Sequence, residues 1–331
     1  MSYKLFTSVF LVLVIAVLLA IGGFNYWIDP LWTFSHSHEN NDVQFVIDER
    51  QQKVNQLYYG KSDYDTLLIG SSRTTYIPAE EFTGMDVYNF AASDLSFLEY
   101  EAMIDFAKEQ KGSEFERIII GVDFFKSSLK ESTDPVSLEP YTEKVKEPFY
   151  RWKNLLSLDV LEYARKNYRL SQNDQIVDLR NYNRENTAFA KHFELGTIEE
   201  ETKAKIYKFR QQFYGENYQY NKEMKSVLQH LKEENPDTEF VIFTTPISAP
   251  LYRAMIEEGN EAGYERWLDD LVDVFGGVHH FMYPNSVTED LSNYFDGHHF
   301  YPEVGKLIAK RISEENPAEV PEDFGIYLTK E

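Results

Sequence analysis

The chain has 331 residues, 43% of them hydrophobic, with 23 Tyr, 24 Phe and no Cys. That composition can build a packed core and does not resemble a disordered chain; without Cys there is no disulfide, thiolate metal site or Cys nucleophile. The formal charge of −22, uninterrupted by any basic patch, excludes nucleic acid as a partner. It argues only weakly against an anionic polymer, because charge is screened beyond about 8–10 Å at physiological salt.

From Leu5 to Phe24 the chain reads LFTSVFLVLVIAVLLAIGGF, close to the roughly 20 apolar residues that span a bilayer as a helix. Lys4 precedes the run and no Lys or Arg follows until Arg50. The positive-inside rule therefore places the start in the cytoplasm and residues 26–331 outside, a single-pass arrangement. Tyr26, Trp27 and Trp32 would sit in the outer interfacial belt. AIGGFNYWIDP lacks a clean small-x-small cleavage site, which favours an uncleaved signal anchor over residues 1–25 above a cleaved signal peptide. Residues 26–64 read as a membrane-proximal neck with a helix around DERQQKVNQLYYG.

Five apolar runs follow with the length of buried strands: DTLLIG at 65–70, MDVYNFAA at 85–92, FERIIIGVDFF at 115–125, TEFVIFTTP at 238–246 and GVHHFMYP at 277–284. Helical patterns lie between them. SFLEYEAMIDFAKEQKG has Ser96 as N-cap and Gly112 as stop. NKEMKSVLQHLKEENPD precedes the fourth run, and APLYRAMIEEGNEAGYERWLDDLVDVFGG separates the fourth from the fifth. The alternation predicts a three-layer α/β/α domain over 65–331, with a flavodoxin-like parallel sheet of about five strands. Residues 126–218, rich in Tyr, Asn, Arg and Lys, break the rhythm. They read as a helical insertion over the sheet's C-terminal edge, where α/β proteins bind ligands.

Two motifs carry chemistry. Gly70 ends the first run and permits a sharp turn that lifts Ser72 out of the sheet; the Ser72 N–H could also face an oxyanion. Far downstream, FDGHHFYPEVG puts Asp296 three residues before His299. A His there can take the serine proton while the Asp holds its tautomer. The competing readings are an N-capped strand-to-helix turn, and a capping Asp beside two surface histidines. Metal binding by Asp296, His298 and His299 is disfavoured, because adjacent histidines rarely point the same way. His279 and His280 read as packed or edge residues.

Together these residues resemble the SGNH (GDSL-like) hydrolase and acyltransferase superfamily over 65–125 and 238–312. GSS at 70–72 stands where the first family block has Gly-Asp-Ser, which aligns Ser72 with the nucleophile. YNFAAS at 88–93 resembles the second block, with Ala91 at the oxyanion glycine and Asn89 two residues before it. GVD at 121–123 falls on the third block, with Asp123 replacing the Asn that donates to the oxyanion. FDGHHFYPEVG resembles the fifth block and makes His299 the base and Asp296 its partner. An ionised Asp123 is acceptor-only. It would have to be protonated, be replaced by a donor such as Asn89, or leave the site weak; alternatively, it orients Arg73.

The N-terminal anchor, GSSR at 70–73 and the NYWIDP segment resemble the DltD-like and AlgJ-like subset, which works beside multi-pass membrane-bound O-acyltransferases on exported polymers. The resemblance implies an extracytoplasmic, membrane-anchored serine acyltransferase. It would move an acyl group, with acetyl favoured, onto a cell-surface polysaccharide or cell-wall polymer, with no cofactor and no metal. An esterase or deacetylase built on the same residues, and a non-catalytic polymer-binding or assembly subunit, stay open.

Overall fold

In the computed structural model, which describes residues 2–132, 134–173, 179–315 and 317–330, the chain divides into two compact units. The first joins the residues up to Ser62 with Glu139–Arg184, and the second joins Asp63–Leu138 with Glu185 onward. The stretch 126–218, expected as one insertion, is thereby divided. Glu139–Arg184 belongs with the N-terminal residues, whereas the helix Leu195–Gln212 belongs with the second unit.

The second unit is built on a six-stranded sheet. Its strands are β1 (Thr66–Gly70), β2 (Val87–Asn89), β3 (Arg117–Val122), β4 (Glu239–Thr244), β5 (Gly277–His280) and β6 (Ile326–Thr329). Their spatial order is β2-β1-β3-β4-β5-β6. The first five are parallel and β6 runs antiparallel to β5. Every residue of β1 is buried, and so are all but the first of β3, as in strands covered on both faces. Flanking helices include Tyr100–Lys111, Met224–Glu233, Glu261–Phe275 and Pro302–Ser313, completing a three-layer α/β/α arrangement. Ser96 and Glu99 form a capping box, and Gly112 closes the following helix with φ +74°. The long pattern after β4 breaks into two helices, Ala249–Glu257 and Glu261–Phe275, at Gly259 with φ +79°.

The first unit begins with the helix Tyr3–Ile28, whose apolar window has mean hydropathy 2.9 and is nowhere buried. Among the described residues it alone is long and apolar enough to cross a membrane, a property that signal sequences share. Asp29 ends it in the left-handed region (φ 47°), immediately before Pro30. The Asp29 carboxylate then accepts from the backbone N–H groups of Thr33, Phe34 and Ser35 at 2.8, 3.0 and 3.2 Å and pairs with Arg184 at 2.9 Å. This buried pair fixes the segment after the helix. The helix Glu49–Tyr59 is capped by Asp48. Gln44–Phe45 pairs antiparallel with Asn181–Tyr182, and Leu158–Gln172 is the unit's other long helix.

The turn after β1 depends on two side-by-side glycines. Gly70 and Gly121 are register partners on β1 and β3. A Cβ on either would lie 2.1 or 2.3 Å from Thr74 Oγ1, so Thr74 folds over the strand ends only because both lack one. Gly121→Ala, which would also meet Phe243 Cζ at 2.6 Å, should destabilise the second unit by about 1–3 kcal/mol through overpacking. Urea unfolding of variant and parent would measure the difference.

Candidate active site

The three residues after Gly70 diverge. Ser71 and Arg73 are buried, at 3% and 1% exposure, whereas Ser72 is partly open to solvent. Ser72 Oγ lies 3.0 Å from His299 Nε2, and His299 Nδ1 lies 2.9 Å from Asp296 Oδ2. A hydroxyl, an imidazole and a carboxylate are thus in one hydrogen-bonded line, with the two outer faces of the ring each engaged. The carboxylate is buried, while the hydroxyl and the imidazole reach solvent.

The turn that carries the histidine is organised by Asp296. Its Oδ1 accepts the backbone N–H groups of His298 and His299 at 2.9 and 2.7 Å. Its Oδ2 faces both His299 Nδ1 and Lys205 Nζ, the latter at 2.6 Å. Gly297 takes φ +71°, and a Cβ there would meet Thr202 Oγ1 at 2.8 Å and Ser248 Oγ at 3.0 Å. Burial alone would raise the Asp296 pKa, but His299 and Lys205 outweigh it and hold the carboxyl well below its usual range. Asp296 is therefore an anion, able to stabilise an imidazolium at His299. The Phe295 ring stacks on His299 at 5.4 Å with 2° between planes, restricting the imidazole further.

The adjacent histidines have different surroundings. His298 is buried against Phe209 and Phe125, with ring centroids at 4.8 and 5.5 Å. Burial, then the Arg73 guanidinium, push its pKa well below the ordinary value, so it stays neutral. The two rings stand edge to face at 84°. His280 bridges Thr244 Oγ1 and Tyr264 OH, each at 2.9 Å, and burial lowers its pKa to about 4. His279 is likewise lowered to about 4, chiefly by burial. Both belong to the packing of β5.

Four residues expected around the oxyanion or substrate have other duties. Asp123 accepts from Arg73 Nη2 at 2.5 Å and from the Thr245 hydroxyl. Arg73 Nη1 donates to the Thr245 carbonyl at 3.2 Å. Arg73 is thus a buried tie between the ends of β1, β3 and β4, not a residue presented to substrate, and Asp123 is its counter-ion. Asn89 spends its amide hydrogens on the Thr74 and Ile77 carbonyls, both at 3.0 Å, and is not aimed at an oxyanion. The Ala91 N–H donates to Asn89 Oδ1 at 3.1 Å, so it too is engaged inward. The remaining expected donor is the Ser72 N–H, which no hydrogen bond among the described residues engages.

Two further residues shape the site without a signal in the sequence motifs. Lys205 comes from Leu195–Gln212, in the stretch read as an insertion. Asn186, at φ +67°, donates from its amide to the Asn89 carbonyl at 2.7 Å and braces the end of β2. Its local sequence NREN marks a turn but not that contact.

No protein-family model and no curated protein sequence matches the chain. Among solved structures it is similar to a Streptococcus pneumonia protein provisionally described as a platelet activating factor. The match has 10% identity and a TM-score of 0.37, covering 80% of this chain and 89% of that one. A superposition that loose carries no argument about activity.

Two outcomes follow from this geometry. Asp123→Asn strips the charge that compensates a buried guanidinium and should destabilise the fold by roughly 3–5 kcal/mol without raising serine reactivity. The double variant Arg73→Met with Asp123→Leu should recover much of that loss; unfolding midpoints test both. Lys205→Met leaves Asp296 without a competing cation, so the carboxylate should favour imidazolium at His299 more strongly. Should the neutral imidazole serve Ser72 as base, the acid limb of the pH–reactivity profile should move to higher pH, with the plateau largely retained. An unshifted limb would show that Lys205 does not act through Asp296.

Proposed function

We propose that the chain is an SGNH-like serine enzyme that forms an acyl-Ser72 intermediate. The single observation that carries this reading is the Ser72–His299–Asp296 line at 3.0 and 2.9 Å, set at the end of a parallel strand. In the first half-reaction the Ser72 oxygen attacks the donor's acyl carbon as its proton passes to His299 Nε2. The bond to the leaving group breaks and that group takes the proton from His299. In the second, His299 takes the proton of an acceptor hydroxyl as its oxygen attacks the acyl-serine; the acyl–Oγ bond then breaks and Ser72 Oγ takes that proton back from His299. Asp296 stays ionised throughout and balances the imidazolium. The Ser72 N–H is the backbone donor proposed for the oxyanion.

Transfer to a hydroxyl of an exported polysaccharide or cell-wall polymer is the favoured outcome, with acetyl as the proposed group. The 26-residue apolar helix supports a membrane-anchored, extracytoplasmic enzyme, and the resemblance to DltD-like and AlgJ-like proteins supports work beside a multi-pass O-acyltransferase. An esterase would use the same three residues with water as acceptor. A non-catalytic role drew its support from a carboxylate in the oxyanion position. That support weakens, because Asp123 is paired with Arg73.

A fluorophosphonate probe should label the full chain at Ser72. Ser72→Ala and His299→Ala should each reduce turnover of an activated acetyl ester by roughly 10⁶-fold, since the line acts as a unit, whereas His298→Ala should retain labelling. Absence of labelling in the folded parent, or equal loss on changing His298, would overturn the assignment. Acetylated oligosaccharide against free acetate, measured by mass spectrometry, separates transfer from hydrolysis.

A further inference from the structure

The first unit carries an apolar and basic face that the proposed chemistry does not use. Asn25, 1% exposed near the end of the apolar helix, donates its amide to the carbonyls of Leu155 and Ser157 at 2.9 and 3.1 Å. A Cβ on Gly22 would sit 3.4 Å from Leu156 Cδ2. Further along, Tyr168 meets the rings of Phe24 and Trp27 at 5.9 and 5.8 Å. These contacts from 155 to 168 fall on residues 22–27 of the first helix. Five residues advance about 7–8 Å along an α-helix, whereas 157 to 168 advance about 16 Å. Contacts spread along Leu158–Gln172 and the turn before it thus converge on a short stretch of the apolar helix, as where two helices cross. If that apolar helix stands across a bilayer, its crossing partner lies near the plane of the surface.

The composition of the outer face fits that position. Val160, Ala164, Asn167 and Ser171 are buried. Leu158 is 67% exposed, and the neighbouring Phe149, Trp152 and Leu156 are 73%, 57% and 50% exposed. The same helix lines an open groove of about 850 Å³ with Leu161, Arg165, Lys166 and Arg169, Glu162 being the one acid among the lining residues. Three cations on one face are notable in a chain of charge −22. An amphipathic helix with apolar residues toward the bilayer and Arg and Lys at headgroup level is the pattern of an interfacial helix, and polybasic segments next to a membrane are drawn to anionic lipid.

We propose that Leu158–Gln172 and the turn before it form a second membrane contact. Leu156 and Leu158 would enter the leaflet from which the apolar helix emerges, with Arg165, Lys166 and Arg169 on the phosphates of anionic lipids. The proposal rests on the membrane-anchor reading. A dipped helix beside the anchor would hold the first unit at a fixed tilt instead of letting it pivot on one span.

Because the chain has no Cys, single labels can be introduced in the full-length protein. Leu11→Cys, Trp152→Cys and Leu158→Cys, each carrying an environment-sensitive NBD group, are placed in nanodiscs of phosphatidylcholine with or without phosphatidylglycerol. Spin-labelled lipids with shallow or deep nitroxides serve as quenchers. The label at 11 should be quenched by deep nitroxides, and those at 152 and 158 by shallow ones with a blue shift. The shift at 158 should grow with phosphatidylglycerol, and that gain should vanish in the combined Arg165→Gln, Lys166→Gln, Arg169→Gln variant. Quenching at 11 with water-like emission at 152 and 158 overturns the second contact and leaves the anchor intact. No quenching at 11 removes the anchor and the second contact with it. A shift at 158 that ignores lipid charge overturns the role given to the three cations.

Discussion

The site depends on a buried charge pair that takes no part in the proposed chemistry. Arg73 and Asp123, each 1% exposed at the side chain, join the end of β1 to the end of β3, and Thr245 brings in the end of β4. Taking two charges out of water is costly, and the pair's attraction does not ensure a net gain in stability. Its effect on geometry is more direct. With Arg73 drawn beneath the turn and Thr74 seated over two glycines, the residue between Ser71 and Arg73 is left on the open side. Ser72 reaches His299 because its neighbours on both sides are held inside.

Asp296 does for His299 what Arg73 does for Ser72. Two backbone N–H groups on Oδ1 set the turn, and Oδ2 meets the imidazole. The same oxygen also meets Lys205. A carboxylate fully devoted to histidine would strengthen its basicity; one shared with an ammonium tempers it. The two contacts compete at a single atom, so a helix outside the serine and histidine motifs bears on how Asp296 engages His299.

What could be read from the sequence follows from how local each cause is. Gly70, Ser72, Asp296 and His299 were legible because a strand end and an Asp-x-x-His turn are short-range patterns, and the structure brings these residues together. The five parallel strands were legible as apolar runs between helical patterns. β6 was not, because four residues with an exposed face have no signature apart from their pairing with β5. Asp123 could be placed near Ser72 with Arg73 among its possible partners, but only the fold, which brings that guanidinium from fifty positions away, selects the pair over an oxyanion role. Ala91 and Asn89 looked like donors because the residue types permit it. Only the three-dimensional turn shows that Asn89 holds the Thr74 and Ile77 carbonyls and takes the Ala91 N–H. Lys205 and Asn186 are long-range contacts with no local pattern at all.

The spent donors also bear on which reaction suits the site. One lost oxyanion donor lowers transition-state stabilisation by about 2.7–4 kcal/mol. Here Asn89 and the Ala91 N–H are already engaged, and Asp123 cannot donate while ionised. Of the donors expected from sequence, the Ser72 N–H alone is left unengaged. Such a site would be modest against a dilute soluble ester. Its handicap matters less where the acyl donor is presented beside it, because orientation and effective concentration can offset a barrier of about 7–11 kcal/mol in favourable cases. In the proposed function, confinement to a membrane beside a protein that supplies the acyl group would be one way to obtain that. On the proposed reading, such a site would suit a tethered transfer better than a freely diffusing hydrolase, for a reason that lies in the engaged hydrogen bonds around Ser72.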